Sequence, residues 1–124
     1  MQGPSNKSFS SIYRLRSKRD FAAVQNAVSS GSGRKLHCRN FLLLVAPAQG
    51  KVSRLGVTVT LKIDKRSVVR NRIKRLTREV FRNLRESLKS PIEMIVIARN
   101  GAIDCGLPQV ESQIKHALKN GGYL

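Results

Sequence analysis

In the segment SVVRNRIKRLTREVFRN, from Ser67 to Asn83, apolar side chains return at helical spacing while cations fill most positions between them. Placed at 100° per residue, Val69, Ile73, Leu76, Val80, Leu84 and Leu88 fall within about 120° of arc, which commits one face of a helix to packing. Beside that face Arg70, Lys74, Arg78 and Arg82 climb in i,i+4 steps, joined by Arg75 and Arg85. Like charges at that spacing cost a few tenths of a kcal/mol per pair in an isolated helix. From Lys65 to Lys89 there are ten basic residues and only two acidic ones, Glu79 and Glu86, so internal pairing cannot offset the repulsion. A merely solvated face mixes signs, and this one does not. Arginine also outnumbers lysine in it, and the planar guanidinium fork suits bidentate phosphate contact. The segment therefore predicts a helix packed on one side and completed by a polyanion on the other.

The whole chain carries the same bias: 24 Lys and Arg against 7 Asp and Glu give a net charge of +17, which makes nucleic acid the leading partner. At 124 residues the chain is expected to form one domain, and with four Phe, two Tyr and no Trp its core must be mostly Leu, Ile and Val. No apolar run reaches the length of a membrane span, and MQGPSNKSFSS lacks the apolar centre of a secretory signal, so the expected location is the cytoplasm. Cys38 and Cys105 are 67 residues apart with no C-x-x-C, and are expected as free thiols. A zinc site drawn from His37, Cys38, Cys105 and His116 has no supporting ligand spacing.

Residues 1–11, rich in Ser, Gly, Pro and Asn, are expected to be a disordered lead-in to a single domain over 12–124. Ser17 with Asp20 three residues on resembles a capping box, and Phe21, Val24, Ala27 and Val28 predict a first helix over 17–28. RKLHC is expected as a short strand and Asn40–Ala46 as a buried one stopped by Pro47. In RLGVTVTLKI, Leu55, Val57, Val59, Leu61 and Ile63 alternate with Gly56, Thr58, Thr60 and Lys62, the period of a strand with one apolar face and one small, polar, basic face. Ile92–Ala98 reads as a last strand, and Val110, Ile114, Ala117 and Leu118 mark a final helix ended by Gly121 and Gly122. The order α-β-β-β-α-β-α implies an α+β fold, a two-layer sandwich with one central, mostly antiparallel sheet of about four strands and three helices.

The run RLGVTVTLKIDKRSVVRNRIKRLTREVFRN resembles the signature of the bacterial ribonuclease P protein subunit: a strand beginning R-[IVL]-G, a lysine, then the helix RNRIKRLTRE-x-FR. RLRSKRDFAAV, NFLLLV and IVIAR stand where that family would have them, and the similarity covers roughly residues 13–120. It implies a subunit that joins a catalytic RNA and promotes Mg²⁺-dependent endonucleolytic removal of the 5′ leader from precursor tRNA. The chemistry and the Mg²⁺ would be held mainly by the RNA, and the protein alone would be inactive. No small-molecule substrate and no membrane enter this scheme. The resemblance assigns Arg66, Arg70, Asn71, Arg72, Lys74, Arg75, Arg78 and Arg82 to the catalytic RNA. It assigns a cleft between the polar sheet face and the first helix to the leader, with Phe21, Phe41, Lys62, Thr58 and Thr60 as candidates. It also implies a left-handed strand–helix–strand crossover, against the general rule.

The sequence departs from the family pattern within the cleft. Leu61 stands where a first of two lysines is common, and Gln25 and Leu44 occupy positions that are often aromatic. Two other classes share the composition. A structural ribosomal protein would be equally small and basic. A protein-only nuclease would need a hydrolytic centre, and Asp20, Asp64, Glu79, Glu86, Glu93, Asp104 and Glu111 form no paired-carboxylate motif for two metals.

Overall fold

The protein is described by a computed structural model over residues 11–124, so the expected lead-in falls almost wholly outside the described residues. Helix α1 spans Lys18–Ser30 and begins where local chemistry demands: Ser17 Oγ accepts the Asp20 N–H at 3.1 Å, and the Asp20 carboxylate accepts the N–H groups of Ser17 and Arg16. Gly31, with φ 93°, ends it in the left-handed region. Strand β1 covers Arg34–His37, β2 Phe41–Pro47 and β3 Arg54–Thr58. Helix α2 covers Ser67–Leu84 and runs into a single 3-10 turn, Arg85–Ser87; β4 covers Ile92–Ala98 and α3 Leu107–Asn120. The sheet order is β1-β2-β4-β3, with β2 antiparallel to β1 and β4, and β3 parallel to β4. This is the expected α+β arrangement of a four-stranded, mostly antiparallel sheet with three helices.

The strands alternate between two cores. Phe41, Leu43, Val45, Leu55, Met94 and Val96 meet Ile73, Val80, Phe81 and Leu84 of α2 and Val110, Ile114 and Leu118 of α3. Leu44, Ala46 and Ile95 face the other way, against Leu15 and Val24, with Phe21 packed beside them. Helices α2 and α3 thus cover one face, while α1 crosses part of the other.

Backbone chirality gives the hand of the β3–α2–β4 crossover. Phe41 points its side chain to the α2 face, and its C=O accepts the Cys38 N–H on the β1 side, while the preceding Asn40 C=O accepts from Arg99 on the β4 side. For an L-residue seen from α2 with β2 running upward, this places β1 on the right and β4, then β3, on the left. Turned so that β3 and β4 run upward, the chain passes in front through α2 and re-enters the sheet to the left of β3. The crossover is left-handed, the minority hand.

One strand is shorter than its alternation. The pattern runs to Ile63, but β3 ends at Thr58, opposite Ile97, one residue before β4 ends at Ala98. Beyond that point no neighbouring strand offers partners, and the chain turns, with the Ile63 N–H bonded to the Thr60 C=O at 3.0 Å. Val59 stays buried and Ile63 still packs on the core, but Leu61 between them is 64% exposed, so the turn breaks the alternation. On the outer side of β3, the segment before α1 supplies one parallel bridge, Arg14 to Leu55, with the Leu15 N–H on the Leu55 C=O at 3.0 Å.

Candidate nucleic-acid interface

Helix α2 seats its basic row by burying Ile73, Thr77, Val80, Phe81 and Leu84, with Leu76 and Leu88 at the margin. Thr77 can be buried because its hydroxyl donates to the Ile73 C=O at 2.9 Å. Phe81 and Thr77 lie nearer the centre of the buried arc than the expected Val69 and Leu76. The helical projection already contained Thr77, which falls between Arg70 and the apolar positions, whereas Phe81 falls just beyond Arg70 on the basic side.

The cations of α2 divide by what holds them. Arg66 donates to the Asp64 carboxylate from its backbone N–H at 2.8 Å and from its guanidinium at 3.0 and 2.8 Å. These bonds from Arg66 hold the Asp64 carboxyl at about 2, below its ordinary range. Arg70 donates to the carbonyls of Asp64 and Lys65, at 3.0 and 2.8 Å, tying the helix start to the loop before it. Arg82 pairs with Glu79 at 2.6 Å. Arg78 is half-buried, and desolvation with the nearby Arg14 charge lowers its pKa. Among the described residues, Arg72, Lys74, Arg75 and the exposed Asn71 have no carboxylate partner. The first turn of α2 carries no acidic side chain and no side-chain cap, so the positive end of the helix adds to these cations.

The cleft lies on the α1 face. The Phe21 ring packs directly on the Gly56 backbone, where a Cβ would lie 2.5 Å from Phe21 Cζ. Thr58 follows on the same face of β3, and its pairing with Ile97, and that of Ile97 with Leu42, continues the floor across β4 to β2. Phe21, Thr58, Ile97 and Leu42 are all half-buried. Arg54 closes one end, donating from Nη2 to Glu93 at 2.6 Å and lying 3.5 Å from Asp20 of the α1 capping box.

Phe41 does not belong to this cleft. Its side chain is 0 % exposed and points to the α2 and α3 face, so it is a core residue that a leader strand cannot reach. Thr60 and Lys62 are exposed, but on the turn after β3 rather than on the strand face. Leu42 and Ile97 take the floor positions instead. Strand alternation puts Leu42 and Ile97 on the face opposite Phe41 and Val96, but which face α1 would cover is decided only by the fold.

The thiols sit in a polar knot rather than a metal site. Gln113 donates to Asn40 Oδ1 at 2.8 Å and accepts the Asn40 N–H at 2.8 Å, with Cys105 Sγ 3.4 Å from Asn40 Oδ1. Cys38 Sγ lies 3.6 Å from the Gln113 C=O. Among the described residues no group of three or more His, Cys, Asp or Glu could hold a metal ion. Asp20, Asp64, Glu79, Glu93 and Glu111 are each engaged by a cation. The other two acids, Glu86 and Asp104, are in no ion pair among the described residues. Among the described residues no helix is long and apolar enough to cross a membrane.

Comparison with known proteins converges on one family, and its ribonuclease P model matches residues 9–121. The chain belongs to the ribonuclease P protein family. The ribonuclease P protein component of Desulfatibacillum aliphaticivorans is 39% identical over 109 residues, spanning 88% of this chain and 87% of its own. That of Shouchella clausii is 37% identical over 112 residues, spanning 90% and 87%. Among solved structures, the Staphylococcus aureus RNase P protein aligns with a TM-score of 0.76 at 28% identity, covering 90% of this chain and 96% of that one. The Thermotoga maritima RNase P protein aligns at 0.71 and 28%, covering 86% and 96%. Membership in the ribonuclease P family makes the chain a protein component of an endoribonuclease complex that processes tRNA, with an RNA partner.

Proposed function

We propose that this protein binds the catalytic RNA of ribonuclease P through α2 and the loop before it, and holds the 5′ leader of precursor tRNA in the cleft beneath α1. It would thereby promote Mg²⁺-dependent endonucleolytic release of the leader in the bacterial cytoplasm. The observation that carries this reading is the set of α2 cations, Arg72, Lys74 and Arg75, left without carboxylate partners among the described residues in a chain of net charge +17. The half-exposed strip of Phe21, Thr58, Ile97 and Leu42 supports a single-stranded guest, because it offers one aromatic ring and a narrow floor rather than a duplex-sized groove. Engagement of five of the seven carboxylates by arginine or lysine, with no cluster of three metal-ligating side chains among the described residues, supports a reaction in which the metal is held by RNA. The protein's part is then electrostatic and positional: it screens repulsion between two RNAs and fixes the leader.

The test is precursor cleavage across a Mg²⁺ series with protein alone, RNA alone and both. Protein alone should cleave nothing, and the protein should lower the Mg²⁺ that the RNA needs, with a gain that shrinks as Mg²⁺ rises. Cleavage by protein alone, lost in His37→Ala or His116→Ala, would overturn this reading in favour of a protein nuclease. Absence of stimulation with the cognate RNA would favour a ribosomal role.

A further inference from the structure

At the C-terminal end of α2 a cavity of about 340 Å³ opens between the segment before α1, the loop joining β2 to β3, and the turn after α2. Its wall includes a preformed stack: the Arg85 guanidinium carbon sits 3.6 Å from the centroid of the Tyr13 ring, and both residues are half-exposed. Val52 and Leu88 line it with apolar surface, and Lys51 and Lys89 bring two more cations against one carboxylate, Glu86.

Arg85 also ends a row. Arg70, Lys74, Arg78 and Arg85 fall within about 80° of arc along one flank of α2, over roughly 22 Å at 1.5 Å per residue. The row begins at the loop that Arg70 ties down and finishes in the cavity, with the Arg14 charge beside Arg78. Proteins that hold single-stranded nucleic acid combine such a row with flat side chains on which bases stack. The α1 cleft is poor in these: Phe41 is in the core, and Gln25 and Leu44 are not aromatic.

We propose that this cavity is a nucleotide subsite for the catalytic RNA, with one unpaired base stacked on the Tyr13–Arg85 pair and its flanking phosphates held by Lys51 and Lys89. The proposal rests on the RNA-binding role of α2 argued above. The volume lies within the range of small-ligand sites and suits one nucleotide. Val52 and Leu88 would border the base, and Glu86 would accept from an exocyclic amino group, which favours adenine, cytosine or guanine over uracil. The catalytic RNA is the chosen occupant because the cavity continues the α2 row, whereas the cleft opens on the opposite, α1 face of the sheet.

The chain has no Trp, so Tyr13→Trp supplies a single tryptophan in the full-length protein, excited apart from Tyr123 at long wavelength. Adding catalytic RNA should quench it, saturating at one RNA per protein, with complex formation followed in the same samples by gel shift. Tyr13→Leu should weaken the complex at least fivefold at every salt concentration without changing the salt slope, whereas Tyr13→Phe should stay within twofold of the parent. Lys51→Gln with Lys89→Gln should reduce the slope by about one to two. Full complex formation without quenching would overturn the subsite. Quenching that appears only after leader-bearing precursor is added would assign the cavity to substrate and equally overturn the proposal. Equal losses in Tyr13→Leu and Tyr13→Phe, with lowered melting temperatures, would make the stack structural. Failure of the parent protein to shift the RNA would instead count against the RNA-binding role itself.

Discussion

The Phe21 ring rests on the backbone of Gly56, so close that a methyl group at that glycine would lie 2.5 Å from Phe21 Cζ and 2.8 Å from Cε2. The absence of a side chain on one strand residue thus sets how near α1 comes to the sheet, and with it the width of the candidate leader cleft. Gly56→Ala should push the ring outward, cost about 1–3 kcal/mol as an overpacked site, and reduce the preference for leader-bearing precursor over mature tRNA. Comparing the two affinities in the reconstituted complex checks this, and equal losses for both would detach Phe21 from leader binding.

Arg54 fastens the same helix by charge. Glu93 is 2 % exposed and bonded to Arg54 at 2.6 Å, while Arg54 also approaches Asp20 of the α1 cap. Arg54→Met alone should destabilise the protein by about 3 kcal/mol, because it strands a buried carboxylate. Adding Glu93→Met should recover most of that loss. Urea unfolding of the parent, both single variants and the double variant measures the coupling.

The α2 cations without carboxylate partners should dominate the electrostatics of RNA binding. Replacing Arg72, Lys74 and Arg75 together by Gln would remove the three proposed phosphate contacts without cutting the bonds by which Arg66 and Arg70 hold the helix start. The slope of log affinity against log salt should fall in magnitude by about 2 to 3, from coefficients of 0.7–0.9 per phosphate. A salt titration on a variant with an unchanged melting temperature decides it.

Acid should loosen the loop before α2. The Asp64 carboxyl is held at about 2 by Arg66, below its ordinary 3.8, so its stabilising contribution is complete above the unfolded value and is lost as pH falls from about 4 towards 2. Asp64→Asn should remove that portion of the acid dependence. Carboxyl titration by NMR gives the Asp64 value directly, and a value near 4 in the folded protein would break the link.

The thiols should be sluggish. Burial pushes Cys38 up to about 11 and also raises Cys105, so at pH 8 both stay protonated. A thiol reagent should modify the native protein far more slowly than the urea-unfolded chain, and prompt native labelling at Cys105 would mean that the knot around Asn40 opens readily.

Features decided by neighbours in the chain were legible in the residues alone. The Ser17–Asp20 capping box, the Ile92–Ala98 strand, the buried quartet of α3 and the basic row of α2 depend on spacings of two to four residues, which backbone geometry converts directly into faces and ends. The left-handed crossover came only from the motif resemblance, since local rules favour the other hand. Tertiary structure alone decided which face of a strand became core and which became cleft. Alternation separates Phe41 from Leu42 but says nothing of where α1 or α2 will land, so the aromatic went under α2 and the leucine to the floor. The same holds for the end of β3, where Thr60 and Lys62 had a strand's pattern but no partner strand to bond. Arg54 with Glu93, Phe21 with Gly56 and Tyr13 with Arg85 are distant in sequence and meet only once the sheet has closed. Each depends on strand order and helix placement, which arise from burying two faces of one sheet at once and are written in no short stretch of the chain.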